Sequence, residues 1–194
     1  MANLDEISQA VECATKAGCQ QLILLHCISA YPAPINESNL NTLVDLAQKF
    51  KCIIGLSDHT LGPTVPIVAT ALGACVIEKH VTLSRDDKGP DSEFSLEPTE
   101  LKELCESTRA AWQSLGIAGY ERKPAEIANA RFRRSIYFVQ DLPKGKIIEA
   151  SDIKRIRPGF GLAPKYFDSL IGMTTLEPVK RGDPVSWDKV TDTE

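Results

Sequence analysis

Residues 52–80 read CIIGLSDHTLGPTVPIVATALGACVIEKH, with a short apolar run at each end and a segment of helical character between them. The first run leads into Ser-Asp-His and the second into Glu-Lys-His. Short apolar runs separated by helices are typical of parallel βα units. We therefore expect a strand, a helix and a second strand here, with polar residues at the carboxyl end of each strand.

The same alternation extends over most of the chain on either side of this stretch. A further apolar run lies at residues 21–27, and the patterns predict helices at 4–17, 40–50, 65–72 and 98–115. The three predicted strands are apolar on both faces. We expect helices to cover one face, and a barrel interior or a second layer to cover the other.

The pattern changes after residue 116, where turn formers such as Pro-Lys-Gly and Arg-Gly-Asp-Pro interrupt short apolar runs about every ten residues. This is typical of a small, irregular, β-rich fold. LPKGKIIEASDI (142–153) and VKRGDPVSWDKV (179–190) resemble each other weakly. We predict an α/β domain at 1–118, a linker at 119–132 and a β-rich domain at 133–194.

Composition and charge argue against a membrane protein and against a nucleic-acid-binding protein. Of the 194 residues, 43% are hydrophobic, and no apolar run approaches the roughly 18 residues of a membrane helix, so we expect a soluble, cytoplasmic protein. Residues 1–120 hold 8 basic and 15 acidic groups, and residues 121–194 hold 14 and 11. Residues 121–194 thus have a mild excess of basic groups. Because aromatic residues are not interleaved with these groups, the excess does not favour a nucleic-acid partner. No membrane partner is expected.

The six cysteines have no C-x-x-C spacing, and most lie inside apolar strand or helix patterns. This spacing argues against both a zinc cluster and a disulfide framework. We expect reduced, buried thiols.

All three histidines of the chain lie at or near the ends of predicted strands. His26 lies at the end of the first apolar run, and His59 and His80 follow the next two. The spacing between His59 and His80 is one βα unit, so adjacent strand ends would bring these imidazoles within reach of a shared Mn²⁺, Mg²⁺ or Zn²⁺ ion. A hydrogen-bonded structural role for each histidine remains an open alternative.

Two loop residues add to this candidate site. Asp91 follows a Gly-Pro turn after the third strand, and Tyr31 lies in the Pro-rich segment AYPAP after the first. A carboxylate at that position can orient a hydroxyl or a metal-bound water. The alternatives are a turn cap for Asp91 and an aromatic residue on the rim for Tyr31. Lys79 is a poor candidate for a cation that binds an anionic substrate here, because its side chain and those of its neighbours alternate in direction along the strand.

Five motifs occur in the order LLHCISAYPAP, GLSDHTLG, GACVIEKHVTL, GPDSEFSLEP and RPGFGL. Together they resemble the phosphoenolpyruvate-dependent nonulosonate synthases, the sialic acid synthase family, across essentially the whole chain. This resemblance implies an α/β fold class, the C-terminal part of a TIM (β/α)8 barrel, followed by a small β-rich antifreeze-like (SAF) domain. It implies condensation of phosphoenolpyruvate with an N-acylated amino sugar.

The resemblance also assigns roles to the residues of the barrel. It makes His59 and His80 the ligands of a divalent metal, Mn²⁺ or Mg²⁺, and Ser57 a contact of phosphoenolpyruvate. Tyr31 and Asp91 correspond to sugar-site residues, and we take them as the catalytic pair.

Two further substrate contacts follow from the resemblance. Ser29 corresponds to a sugar contact, although some relatives carry Asn at this position. Arg157, in RPGFG, resembles the arginine that the antifreeze-like domain inserts into the barrel of a partner subunit, which implies a domain-swapped homodimer. The motifs FRRSIYF and PVSWD favour the pseudaminic acid branch, and LLHC favours the N-acetylneuraminate or legionaminate branch.

A closed barrel needs eight strands and about 250 residues, whereas three βα units are visible here. We therefore expect the carboxyl-terminal part of a longer synthase, inactive on its own. A non-catalytic paralogue that binds carbohydrate or a partner protein is the alternative from another class. A two-histidine metal hydrolase is a third possibility, but it gives no role to Arg157.

Overall fold

Helices and strands alternate through the first of two units, Met1–Ala118, in the computed structural model, which describes residues 1–193 of the chain. The bounds are α1 (Leu4–Lys16), β1 (Ile23–Cys27), α2 (Asn41–Phe50), β2 (Ile53–Asp58), α3 (Thr64–Ala71), β3 (Val76–Lys79) and α4 (Pro98–Leu115). The strand and helix order predicted from the sequence is confirmed, with bounds that differ by a few residues.

The three strands form one parallel sheet in the order β1-β2-β3. Helices α2 and α3 cover one face of this sheet. The core between them consists of apolar residues from both layers: Leu43, Leu46, Ile54, Leu56, Val65, Ala69 and Ala74. The predicted helical layer on one face of the sheet is therefore confirmed.

The opposite face of the sheet is open over the described residues, contrary to the prediction that both faces are covered. Ile23 and Ile53 pair across β1 and β2, and their relative exposures are 47% and 52%. Leu25, on the same face, is 37% exposed. Gly55 lies beside it, and a Cβ there would lie 2.5 Å from the carbonyl oxygen of Val76. The absence of a side chain at Gly55 thus allows β2 and β3 to pair closely next to the strand ends.

The cysteines are free, as predicted, but the prediction that they are buried is wrong. Cys13, Cys19, Cys75 and Cys105 are exposed, and Cys27 and Cys52 are partly exposed. Cys13 lies on α1, a helix with no buried residue, so an apolar pattern there does not produce burial. Within residues 1–193 no group of three or more His, Cys, Asp or Glu side chains is arranged to hold a metal ion.

The second unit, Gly119–Glu194, is rich in short strands and turns, as the sequence predicts. Its elements are α5 (Pro124–Ile127), β4 (Ser135–Phe138), β5 (Ile153–Ile156), α6 (Phe167–Leu170), β6 (Thr174–Thr175) and β7 (Val190–Thr191). Strands β4 and β5 pair antiparallel, and so do β6 and β7. The predicted linker, 119–132, contains α5 and a 3₁₀ helix, Ala128–Phe132.

The weak sequence repeat in this unit corresponds to repeated structure. Leu142 forms a bridge with Val179, its counterpart in the second copy of the repeat. The apolar positions of both copies lie in one core: Leu142, Ile148 and Ile153 with Val179, Val185 and Val190. Gly145 and Gly182, the turn glycines, have φ values of +82° and +97°, which glycine adopts without strain. The unit is thus built from two similar turn-and-strand segments around a shared core.

None of the helices in residues 1–193 combines the length and the apolar character needed to cross a lipid bilayer.

Candidate active site

The ends of β2 and β3 lie side by side because of the register between these strands. Ser57 pairs with Glu78, and Asp58 pairs with Lys79. The residue after each strand end is therefore a histidine at the same level of the sheet. The ring centroids of His59 and His80 are 5.2 Å apart, with planes inclined by 52°. The structure brings together the two imidazoles that the sequence placed on adjacent strand ends.

The imidazole of His59 contacts the backbone of the loop after β1. It is 7% exposed, and its Nδ1 lies 3.0 Å from the carbonyl oxygen of Ile28, which can only accept a hydrogen bond. The proton therefore belongs on Nδ1, and the lone pair of Nε2 is left free. Metal-binding histidines are commonly oriented in this way by a backbone carbonyl. The Cys27 thiol lies 3.8 Å from the same Nδ1.

His80 is the more exposed of the two histidines, with 36% of its side chain accessible. Its Nδ1 lies 3.7 Å from Oδ2 of Asp91, whose side chain is 58% exposed. This distance is too long for a direct hydrogen bond. Asp91 thus borders the site from the loop after β3.

Two aromatic rings pack around the imidazoles. The Tyr31 ring lies 4.3 Å from that of His59 and 6.4 Å from that of His80, measured between centroids. Phe94, which is 8% exposed, lies 5.1 Å from His80 and 5.4 Å from Tyr31. Phe94 was not among the site residues predicted from the sequence; the available signal was an aromatic residue three positions after Asp91 in the polar segment GPDSEF. These rings restrict how the imidazoles can turn.

The two serines of the predicted site differ in their surroundings. Ser57 donates a hydrogen bond of 2.6 Å from Oγ to Oε1 of Glu78, so its hydroxyl proton already has a partner. Ser29 is exposed, and its Oγ lies 4.0 Å from the sulfur of Cys27. Ser57, His59, Glu78 and their neighbours line a cavity of about 240 Å³.

Two candidates lie outside this cluster. His26 lies near the end of β1, and its Nε2 is 2.8 Å from the carbonyl oxygen of Ser38. It pairs with Leu56, a core residue, and therefore belongs to the helix-covered face. Arg157 belongs to the second unit, where it is exposed at the end of β5 and borders a groove of about 490 Å³ with Arg134.

A larger cavity, of about 770 Å³, lies in the second unit beside β5. Apolar side chains and the cations Lys154, Arg155 and Arg181 line it, with no histidine or carboxylate among them. It therefore lacks an acid–base or metal-binding group, and we place the candidate site in the smaller cavity of the first unit.

The loop that carries Asp91 is anchored to the start of α4. Both terminal nitrogens of Arg85 contact the Glu100 carboxylate, at 2.5 and 3.1 Å, and the Arg85 backbone nitrogen donates to Glu97. The hydrogen bond from Arg85 is the main cause that holds the pKa of Glu100 below its ordinary value, and the backbone nitrogen of Glu97 adds to it. Glu100 therefore stays ionised and keeps the base of the loop in place.

Acid should release this anchor. Because the pKa of Glu100 is lower in the folded than in the unfolded chain, its stabilising contribution is complete above the ordinary value of 4.5 and is lost as the pH falls through the folded-state pKa. We expect the thermal midpoint to fall more steeply between pH of about 5 and 3 in the wild type than in Glu100→Gln. The difference should be small, since the pair is more than a third exposed. Circular dichroism would measure it, and parallel pH profiles would contradict the anchor.

Both units of the chain match models of known protein families. Residues 1–120 match the model of the NeuB family, and residues 133–191 match that of the SAF domain. A pseudaminic acid synthase of Campylobacter jejuni is 37% identical over 94% of this chain and 53% of its own length. An N,N'-diacetyllegionaminic acid synthase of the same species is 40% identical over 89% of this chain and 52% of its own length.

A solved structure shows the same fold over the whole chain. The spore coat polysaccharide biosynthesis protein SpsE of Bacillus subtilis is 29% identical, with a TM-score of 0.57, and the match covers 100% of this chain and 60% of that one. The chain spans about half the length of the curated relatives it matches.

Proposed function

The chain belongs to the NeuB family of nonulosonate synthases, with a SAF domain at residues 133–191, and on that premise we propose that it serves the condensation of phosphoenolpyruvate with an N-acylated amino sugar. The products are a nonulosonic acid and phosphate. The family also identifies the first unit as the carboxyl-terminal part of a TIM-type barrel, in agreement with the predicted fold class. The observation that carries the proposal is the imidazole pair, His59 and His80, at neighbouring strand ends.

A divalent ion fits this imidazole pair by the chemistry of its donors. The Nε2 lone pair of His59 is free, since Nδ1 faces a carbonyl, and His80 offers a second ring nitrogen nearby. Among residues 1–193 no third side chain completes a ligand group, so most coordination positions would stay open to water and substrate oxygens. Two nitrogen ligands favour Mn²⁺ over Mg²⁺. When bound, such an ion supplies Lewis acidity that polarises a carbonyl group.

The residues around the imidazoles would bind and orient the two substrates. We assign Ser57 to phosphoenolpyruvate, which requires its hydroxyl to exchange the bond to Glu78 for one to the substrate. Asp91 is exposed and acidic, so it can accept a hydrogen bond from a sugar hydroxyl, and Tyr31 can flank the same sugar. Ser29 is exposed and assigned to the sugar as well. Asp91 and Tyr31 are the proposed catalytic residues.

Arg157 would supply a positive charge for the sugar site from the SAF domain. Residues 1–120 are acidic overall, so a site that binds the anion phosphoenolpyruvate beside the sugar needs local cations. We propose that Arg157 acts across a homodimer, reaching the barrel of the other copy. The pseudaminic acid branch is the proposed specificity, with legionaminic and neuraminic acid synthesis as alternatives, and we place the reaction in the cytoplasm.

The open face of the sheet implies that catalysis needs a further layer of structure over β1 and β2. We therefore expect residues 1–194 alone to release no phosphate from phosphoenolpyruvate, and we test the function in a chimera. In this chimera, residues 1–194 replace the matched carboxyl-terminal part of the Campylobacter pseudaminic acid synthase. Phosphate release that depends on Mn²⁺ and on the amino sugar supports the proposal.

The control is the same chimera with His59→Ala, which should release no phosphate. A panel of N-acylated amino sugars, leading to pseudaminic, legionaminic or neuraminic acid, would identify the branch. A chimera that shows a cooperative thermal transition and binds Mn²⁺, yet releases no phosphate with any of these sugars, would overturn the enzymatic proposal in favour of a binding module.

A further inference from the structure

Behind the two imidazoles lies a buried ion pair that the reaction as described does not use. Nζ of Lys79 lies 2.5 Å from Oδ2 of Asp58, and the two side chains are 3% and 2% exposed. Asp58 is the last residue of β2 and Lys79 the last of β3, and the two are register partners. The ion pair thus joins the two strands at the level directly before His59 and His80.

Further hydrogen bonds connect Thr60, the residue after His59, to both members of the ion pair. The Thr60 backbone nitrogen donates to Oδ1 of Asp58 at 3.0 Å, and its hydroxyl donates to Oδ2 at 3.1 Å. The Lys79 ammonium also donates to the carbonyl oxygen of Thr60. Both neighbours of His59 in the chain are therefore fixed to the residue that precedes His80. Thr60 is itself 2% exposed, so water does not compete for these bonds.

Stability alone is a weak reason to bury such a pair. Removing two charges from water costs several kcal/mol per ion, and apolar replacements of similar volume are often as stable or more so. Buried polar groups are best attested as devices that fix register and orientation. A slip of one residue between β2 and β3 would turn one imidazole to the helix-covered face, because side chains alternate along a strand.

We propose that the Asp58–Lys79 ion pair is a positioning device that sets the mutual placement of the His59 and His80 imidazoles. Both residues border the cavity between the strand ends, but their charged groups are almost fully buried and bond to each other and to Thr60. The ion pair fixes the register between the ends of β2 and β3. The hydrogen bonds of Thr60 to Asp58 and Lys79 fix the backbone on the other side of His59 as well. The proposal rests on the proposed function only for its consequence, which is that a divalent ion binds the correctly placed pair of rings.

The test compares the wild-type chain with the double variant Asp58→Leu/Lys79→Met, which removes both charges together and also takes the acceptor from the two Thr60 donors. Two readouts are followed beside the thermal midpoint: Mn²⁺ affinity, from the electron paramagnetic resonance signal of the free ion, and the nuclear Overhauser effect between the His59 and His80 ring protons without metal. We expect Mn²⁺ affinity to fall by about 10–100-fold, the range found when supporting residues of metal ligands are changed. The Overhauser effect should be lost in a chain that still unfolds in one cooperative transition, at a lower midpoint because the buried Thr60 donors lose their acceptor.

Matched controls separate positioning from general damage. Lys16→Met removes an exposed ion pair with Glu12 in the same unit and should leave both readouts unchanged. Should the double variant fail to fold, Lys79→Arg decides, because it keeps the charge but changes the length and the shape of the cation. Lower Mn²⁺ affinity in a folded Lys79→Arg chain supports the device.

Wild-type values of Mn²⁺ affinity and ring contact in either folded variant would overturn the proposal. The ring contact needs no metal, so it also separates this inference from the function. If the wild-type chain binds no Mn²⁺ but the double variant loses the Overhauser effect, the positioning device stands and the metal assignment fails.

Discussion

Replacing His59 by alanine is expected to reduce the affinity of the chain for Mn²⁺ by at least about 100-fold, and His80→Ala should do the same. Loss of a residue that merely supports a ligand typically costs 10–100-fold, so loss of one of two direct ligands should cost at least as much. Each variant leaves a single imidazole, which holds a hydrated divalent ion weakly. Equilibrium titration of the purified chain with Mn²⁺, followed by electron paramagnetic resonance, measures the loss.

His26→Ala is the matched control, because it removes the third histidine of the same unit. His26 contacts the Ser38 carbonyl on the helix-covered face and lies outside the cavity between the strand ends. Its loss should leave Mn²⁺ affinity within about 2-fold, a difference of about 0.4 kcal/mol. Wild-type Mn²⁺ affinity in both His59→Ala and His80→Ala would contradict the ligand assignment. An equal loss in all three variants would point to non-specific binding by imidazoles.

That these histidines lie on adjacent strand ends could be predicted from the sequence, because it follows from local patterns. Each strand is a short apolar run, and each is followed by a helix of about the expected length. Such units form parallel strands whose ends meet at one edge. The polar residues at 57–59 and 78–80 therefore had to be neighbours once the strands were recognised.

The sequence was a poorer guide to the face of the sheet on which each side chain lies. His26 looked equivalent to the other two histidines because it stands near the end of an apolar run. In the structure β1 ends at Cys27, as the apolar run does, and alternation places the side chain of His26 on the face that α2 covers. Neighbouring residues of a strand point to opposite faces, and a run that is apolar throughout does not show which face each residue takes.

Contacts between segments that are distant in the chain could not be predicted from the sequence. The ion pair between Asp58 and Lys79 joins residues 21 positions apart, and its burial follows from how α2 and α3 cover the sheet. Phe94 reaches the imidazoles through a loop anchored by Arg85, which no periodicity encodes. Burial of the cysteines was predicted from local apolar patterns and failed because burial depends on what packs against a surface.

Phe138→Ala should be the most destabilising single change in the SAF unit. Phe138 is fully buried in β4, within the core that both copies of the repeat share. Removing its ring leaves a cavity that the backbone pairing of β4 with β5 prevents from closing, and truncations of this kind cost about 3–5 kcal/mol. In a unit of this size each kcal/mol lowers the thermal midpoint by about 4–8 °C, so the unit should unfold at least about 12 °C earlier.

The chain offers a direct probe for this unit. Of its two tryptophans, Trp112 lies in α4, and Trp187 lies in the second unit, 5.2 Å from the ring of Tyr166, which packs against the core. In a Trp112→Phe background, fluorescence therefore follows the SAF unit alone. Phe160→Ala is the control, because Phe160 lies in the same unit but is 68% exposed, and its loss should cost no more than about 0.5 kcal/mol. If the two variants unfold at the same temperature, the repeat does not close around Phe138, and the core of this unit lies elsewhere.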